Sequence, residues 1–309
     1  MIATVTLNPA VDKSVILPQF LVNEVNRVQS IRLDPGGKGI NVSKVLHALG
    51  EETRVYGIIG GAAGAMMEQA LREDGIPCML TRSDYETRTN LKIVDPVFGT
   101  NTDINEPGQP ITEELLNDVW EKLSTTVNPG DVVVLAGKNP PGVPEDCLSR
   151  WVKELHALGV VVAADTVGEP MKRLLAEGPD MIKPNLEEFS QLVGTKIETQ
   201  QELVRYLSQV TDNGVGLAVV SMGGEGAVFC DGSQMLVGKP PKVTVQSTVG
   251  AGDSMTAAMV CGFQKKWQLE EIAAYALAVS AAKVSCPGSA PPSPALVQNM
   301  MDQISVKKL

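Results

Sequence analysis

Short apolar runs rich in β-branched residues recur along the chain, at Ile2–Leu7, Val55–Ile59, Val132–Leu135, Val160–Ala164 and Leu217–Ser221. Little polar alternation interrupts them, which is the pattern of strands buried on both faces. Between them lie longer stretches with helical spacing, among them Glu113–Leu123, Cys147–Leu158 and Gln200–Val210. Strands of this kind separated by helices predict an α/β architecture built on a largely parallel sheet. Two stretches break the rhythm. No helix is supported from Val11 to Leu33, and Thr89–Asp95 alternates apolar Leu91 and Ile93 with polar partners, as in a sheet with one wet face. The two insertions, about 11–35 and 87–107, are expected to pair as a small sheet beside one main domain covering 1–309.

Composition narrows the choices. The 309 residues carry 26 Lys plus Arg against 36 Asp plus Glu, a net charge of −10. Non-specific nucleic-acid binding draws on phosphate neutralisation, so nucleic acid is not expected as a partner, and any phosphate must be held locally. An aromatic share of 4% requires a mostly aliphatic core. No uncharged apolar run reaches the roughly 18 residues of a membrane span, and the N-terminal residues lack a signal-peptide pattern. The five cysteines (Cys78, Cys147, Cys230, Cys261 and Cys286) are odd in number, scattered and without a Cys-x-x-Cys pair. Neither a disulfide framework nor a thiolate zinc site is expected, and a reducing cytoplasm is.

Glycine-rich turns supply the candidate chemistry. Pro35-Gly36-Gly37-Lys38-Gly39-Ile40-Asn41 resembles a phosphate loop but fits neither common type. Gly39 follows Lys38 where a Walker A loop needs Ser or Thr, and Arg32 stands at the first glycine position. The dinucleotide fingerprint fails too, because its third glycine would fall at Val42. A small polar ligand close to the backbone, or a plain structural turn, both remain open. Gly60-Gly61-Ala62-Ala63-Gly64 and Ser221-Met222-Gly223-Gly224-Glu225-Gly226 are strand-to-helix turns of the same ambiguity.

More informative is Ser247-Thr248-Val249-Gly250-Ala251-Gly252-Asp253-Ser254, which opens a helix rich in small residues over Met255–Phe263. Gly250 and Gly252 permit successive N–H groups to converge, and the helix dipole adds positive potential, so an anion is favoured there. Asp253 reads either as a capping acid or as an acceptor for a hydroxyl proton in phosphoryl transfer. Asn185 and Glu188, three apart after Lys183-Pro184, read either as a helix cap or as oxygens for a magnesium carried mainly by water and phosphates.

Six motifs in order carry a resemblance that reaches to about Gly288: Asn8-Pro9-Ala10-Val11-Asp12, Gly36-Gly37-Lys38-Gly39-x-Asn41, Thr87-Arg88-Thr89-Asn90, Asn185-x-x-Glu188, Ser221-x-Gly223 and Thr248-Val249-Gly250-Ala251-Gly252-Asp253. Together they resemble the PfkB family of ribokinase-like sugar kinases, and most of all its phosphosugar branch of 1-phosphofructokinases, tagatose-6-phosphate kinases and minor 6-phosphofructokinases.

The resemblance implies a three-layer α/β/α sandwich with a β-sheet lid, ATP and Mg2+ as cofactors, and a homodimer joined through the lids. It implies that Asp253 is the catalytic base and that Gly250, Ala251 and Gly252 form the anion hole. Asp12, Gly37 and Asn41 would hold the sugar. Lys38 and Arg88 would bind the phosphate already on it, with Arg27 reaching over from a neighbouring subunit. Lys183, Asn185, Ser221, Gly223, Gly226 and Thr248 would form the nucleotide side, with Asn185 and Glu188 linked to magnesium. One departure stands out: the family pattern Gly-Ser-Leu-Pro is replaced by Gly137-Lys138-Asn139-Pro140, so that Lys138 either puts a charge on the sugar phosphate or points away.

The implied reaction is phosphorylation of D-fructose 1-phosphate to fructose 1,6-bisphosphate, the lid segment Thr102–Gly108 being the feature closest to that subgroup. Tagatose 6-phosphate or fructose 6-phosphate is the alternative. A catalytically inactive nucleotide-binding regulator would show a replaced base or a broken anion loop, and both are intact here. An oxidoreductase is disfavoured by the missing fingerprint.

Overall fold

The computed structural model describes residues Met1 to Leu309. Its elements run β1 (Ile2–Thr6), β2 (Ala10–Ile16), β3 (Ser30–Gly36), α1 (Lys38–Ala48), β4 (Thr53–Gly60), α2 (Gly61–Glu73), β5 (Cys78–Ser83), β6 (Arg88–Asp95), β7 (Thr100–Asn105) and α3 (Glu113–Ser124). They continue through β8 (Val132–Ala136), α4 (Cys147–Ala157), β9 (Val161–Asp165), α5 (Glu169–Leu175), β10 (Met181–Ile182), α6 (Leu186–Val193), α7 (Gln200–Asp212) and β11 (Leu217–Ser221). The last are β12 (Ala227–Cys230), β13 (Met235–Lys239), α8 (Ala251–Gln264), α9 (Leu269–Val284), α10 (Pro294–Met301) and β14 (Ser305–Lys308).

Ten strands form the main sheet in the order β14-β13-β12-β11-β10-β9-β8-β1-β4-β5. Pairing is parallel from β11 through β5 and antiparallel where β12, β13 and β14 extend one edge. The central strands bury both faces because helices cover both. Along β8, Val133 and Leu135 join the core beneath α3 to α7, whereas Val132, Val134 and Ala136 join the core beneath α1, α8, α9 and α10. On β11, Ala218 and Val220 face the first core and Leu217 and Val219 the second. This alternation explains why these segments read as continuous apolar runs. A buried hydroxyl chain ties α1 to the sheet: Thr4 to Ser43 at 2.8 Å, Ser43 to Thr53 at 2.8 Å, and Thr53 to the Ile2 carbonyl at 3.0 Å.

A second sheet has the order β3-β2-β6-β7. Its register sets Asp12 opposite both Asp34 and Asn90, and Ser14 opposite Arg32 and Lys92, so one face is polar. That face lines a cavity of about 500 Å³ shared with Ser247, Thr248 and Ser289 of the main body. The other face carries Val15 and Ile93 in a small cluster and leaves Ile31 and Ile104 more than half exposed.

Candidate active site

The site forms where the carboxyl ends of central strands meet the N-termini of α1, α6 and α8. Gly250 caps α8 at φ 76°, a left-handed conformation that favours glycine, with no side-chain cap bond. Asp253, in the first turn, points inward and is 8% exposed. Its Oδ2 accepts from Asn41 Nδ2 at 2.7 Å, so the carboxylate serves a partner on another helix and not its own helix end. Ser254 N–H returns to the Gly250 carbonyl, while those of Gly252 and Asp253 find no acceptor in the chain. They stand free at the positive end of the helix, as an anion site requires.

Sequence reasoning did not find Asp165. It ends β9 and is fully buried, with Oδ1 2.7 Å from Lys38 Nζ and Oδ2 3.5 Å from Lys183 Nζ and 2.9 Å from Thr256 Oγ1. A polar Asp165-Thr166 pair closing an apolar strand was the signal available, since ligands in such sheets bind beyond the strands' carboxyl ends. Burial alone would raise the Asp165 carboxyl. Lys183 and Lys38, with bonds from Lys38 and Thr256, instead hold it well below the usual carboxylate range. Asp253 moves the other way: burial, then repulsion from Asp165, push it up to about 6 against the pull of Asn41, Lys38 and Lys183. Two neighbouring carboxyls driven apart in this way assign the roles, Asp165 as a fixed charge and Asp253 as a group able to exchange a proton near neutrality.

Lys38 stands apart from its expected partner Arg88. Its ammonium is held by Asp165 at 2.7 Å and approaches Glu188 Oε1 at 3.9 Å. Burial opposes its charge, but Asp165 and Glu188 drive its pKa above the ordinary lysine value. Arg88, at the start of β6, donates to the Glu106 carbonyl at 2.7 Å and the Asn8 carbonyl at 3.0 Å, with its Nε buried and unpartnered. Beside it Asp12 accepts from Asn90 at 3.0 Å, and burial raises the Asp12 pKa. Gly37 precedes α1 as its N-cap. Arg27 sits exposed in the loop between β2 and β3 and makes no hydrogen bond or ion pair within the chain. Lys138 is exposed on the rim, next to Gly137, whose N–H donates to the Asp165 carbonyl at 2.9 Å.

Asn185 and Glu188 form the capping box of α6: Asn185 Oδ1 accepts from Glu188 N–H at 2.8 Å and Glu188 Oε2 from Asn185 N–H at 2.9 Å. That uses Asn185 Oδ1 and one Glu188 oxygen, leaving Glu188 Oε1 towards Lys38. No group of three or more acidic, His or Cys side chains is arranged to cage a metal. The donor set therefore suits a magnesium ion carried mainly by water and nucleotide phosphates, with Glu188 as the protein carboxylate. Ser221 bridges Asn185, its N–H donating to the Pro184 carbonyl at 3.1 Å. Gly226 at φ 99° faces the Gly238 carbonyl so closely that a β-carbon has no room, which gives that glycine a packing reason independent of any ligand. Gly223 lies in the same turn, and Thr248 is exposed on the cavity wall below the lid. A larger cavity, about 610 Å³, opens near Leu186, Met222 and Lys239, and none of the candidate residues lines it.

An α/β sheet with a free helix N-terminus, a buried carboxyl of raised pKa and paired lysines suits a phosphotransferase, which must hold polyanions. The pfkB family carbohydrate kinase model matches residues 4–296, and the chain belongs to that family. It is 36% identical over 312 residues to the 1-phosphofructokinase of Rhodobacter capsulatus, covering 100% of this chain and 98% of the relative. It is also 36% identical over 282 residues to that of Xanthomonas campestris, covering 90% and 89%. Phosphofructokinase-2 from Escherichia coli, solved with substrates and products, superposes with a TM-score of 0.94 at 29% identity, covering 98% of each chain.

Proposed function

We propose that the protein transfers the γ-phosphoryl group of ATP to the free terminal hydroxyl of a ketohexose monophosphate, converting D-fructose 1-phosphate to fructose 1,6-bisphosphate. The observation that carries the reaction is Asp253, buried at the Gly250–Gly252 turn, bonded to Asn41 and poised near neutrality. The relatives named 1-phosphofructokinase support the choice of sugar.

In this reading Asp12, Gly37 and Asn41 hold the sugar so that its hydroxyl faces Asp253. The hydroxyl oxygen forms a bond to the γ-phosphorus as the bond from that phosphorus to the bridging oxygen of ADP breaks, and Asp253 takes the hydroxyl proton. The free N–H groups of Gly252 and Asp253, with Ala251 in the same turn, meet the charge on the transferred phosphoryl group. Glu188, held in place by its capping box with Asn185, would serve the magnesium, which would neutralise the nucleotide phosphates. Lys183, Ser221, Gly223, Gly226 and Thr248 line the nucleotide side.

Arg88 grips the sugar phosphate, helped by Lys138 from the rim and by Arg27 from a second subunit. Lys38, engaged by Asp165, belongs between the two phosphates and joins the clamp only by exchanging that partner. The half-exposed apolar face of the lid, with Ile31, Leu33 and Ile104, is the surface for pairing two lids in a homodimer. No helix is long and apolar enough to cross a membrane, and we place the enzyme in the cytoplasm with ATP and sugar phosphates.

The likeness to phosphofructokinase-2 gives a second reading, phosphorylation of fructose 6-phosphate or tagatose 6-phosphate. Either sugar carries its phosphate at the end opposite the reacting hydroxyl. Coupled ADP release across free and phosphorylated ketohexoses tests the assignment. Fructose 1-phosphate is expected to give the highest kcat/KM, and preference for a 6-phosphate or for a free hexose would overturn the choice of sugar.

A further inference from the structure

Three basic side chains close on three consecutive residues of the loop after α9. Arg32 donates to the Pro287 carbonyl at 3.4 Å, Lys283 to the Gly288 carbonyl at 2.8 Å, and Lys44 to Ser289 Oγ at 3.1 Å. Arg32 is neutralised by Asp34 at 2.8 Å, but neither lysine has a carboxylate within ion-pair distance. Lys283 is the most deeply buried of the three, at 1% exposure. Burial lowers its pKa, Cys286 acts in the opposite sense, and Lys44 and Arg32 lower it further. A buried ammonium with a single acceptor and no counter-ion is costly, and an apolar side chain of similar volume would avoid the cost.

The place of Lys283 in the fold gives the ammonium a use. Its Cε stands 3.4 Å from where a β-carbon on Gly250 would lie, so its stem runs alongside the anion loop while its head ties down Gly288. The same stretch of α9 is joined to that loop by other bonds. Gln246 and Ser247 N–H groups donate to the Val284 carbonyl at 2.8 and 3.2 Å, and Ser280 Oγ donates to the Ala251 carbonyl at 3.1 Å.

We infer that Lys283 is a positioning residue for phosphoryl transfer, a covalently attached monovalent cation that fixes the Gly250–Gly252 turn against the 285–289 loop and adds positive potential behind its N–H groups. The inference rests on the proposed role of that turn. Lys283 acts through the backbone of Gly250, and its charge is felt strongly because water is excluded around it.

The test compares kinetics of the wild type, Lys283→Met and Lys283→Ala, with melting curves to verify folding. Failure of the functional reading would show as an inactive wild type, whereas failure of this inference would show only in the variants or in the cation response. Lys283→Met is expected to lower kcat roughly tenfold or more with both KM values little changed, as for a small misplacement of catalytic groups. Ammonium or methylammonium should restore activity to Lys283→Ala saturably, by re-entering the space the side chain leaves. Replacing potassium with tetramethylammonium at constant ionic strength should leave the wild type unaffected, a result that needs no variant. Full kcat in folded Lys283→Met, absence of rescue in folded Lys283→Ala, or several-fold activation of the wild type by free potassium or ammonium would each overturn the inference.

Discussion

Asn41 Nδ2 lies 2.7 Å from Asp253 Oδ2, joining the first turns of α1 and α8 across 212 residues of sequence. The bond orients a carboxylate that burial and Asp165 together drive up to about 6. The amide steadies the ionised form without neutralising it, leaving a carboxylate that is mostly charged at neutral pH yet close to its protonated state, as the proposed role of general base requires.

The raised Asp253 pKa carries a stability consequence. Its folded value of about 6 exceeds the ordinary 3.8, so the charged form is disfavoured by folding. The penalty is fully present above the folded value and disappears as pH falls towards the ordinary one. Asp253→Asn is therefore expected to be more stable than the wild type above neutrality, by about 3 kcal/mol, with the gap closing between pH 6 and 4. Urea unfolding of both proteins at several pH values checks this; a variant no more stable at pH 8 would contradict the desolvated-base account.

Asp165→Asn leaves Lys38 and Lys183 without their shared counter-ion. Removing one partner of a buried ionic cluster costs about 3–5 kcal/mol. The same change removes the repulsion on Asp253, so the acid limb of the pH–kcat profile, lost as pH falls through the Asp253 pKa, should move to lower pH. An unmoved limb in a folded variant would show that Asp165 does not tune the base.

Arg88→Ala should act on the sugar phosphate and not on ATP. Loss of one charge-assisted bond amounts to about 1.5–3 kcal/mol, read as a rise in sugar-phosphate KM of tenfold or more. Equal rises in both KM values would remove Arg88 from the clamp.

Arg27 is tested by subunit mixing. A protein inactivated by Arg27→Ala, combined with one inactivated by Asp253→Asn, should regain activity in heterodimers, because one composite site then has both residues. Verified heterodimers without recovery would return Arg27 to its own subunit's site or to none.

The fold was legible where burial dictated composition. Leu217–Ser221 stands as the apolar pattern predicts because its residues face one core or the other, and the helix from Glu113 does because Leu116, Val119 and Leu123 line its buried face. The antiparallel edge strands β12 to β14 went unread: they are short, and β14 is largely exposed, so no continuous apolar run marks it. At the site, the Gly-Ala-Gly turn and Asp253 were visible because glycine and a first-turn acid are unusual together. Capping describes Asn185 and Glu188 and fails for Asp253, a distinction set by Asn41, 212 positions away. Asp165 and the diversion of Lys38 towards it were hidden for the same reason: an ion pair 127 residues apart leaves no local pattern.

The most direct measurement is single-turnover phosphoryl transfer by Asp253→Asn with saturating ATP and sugar phosphate, alongside binding of each ligand by calorimetry. The account predicts near-native affinities and a transfer rate lowered about 10²–10⁴-fold, the usual worth of a general base. A variant that transfers phosphoryl at the wild-type rate, with chemistry limiting, would contradict it.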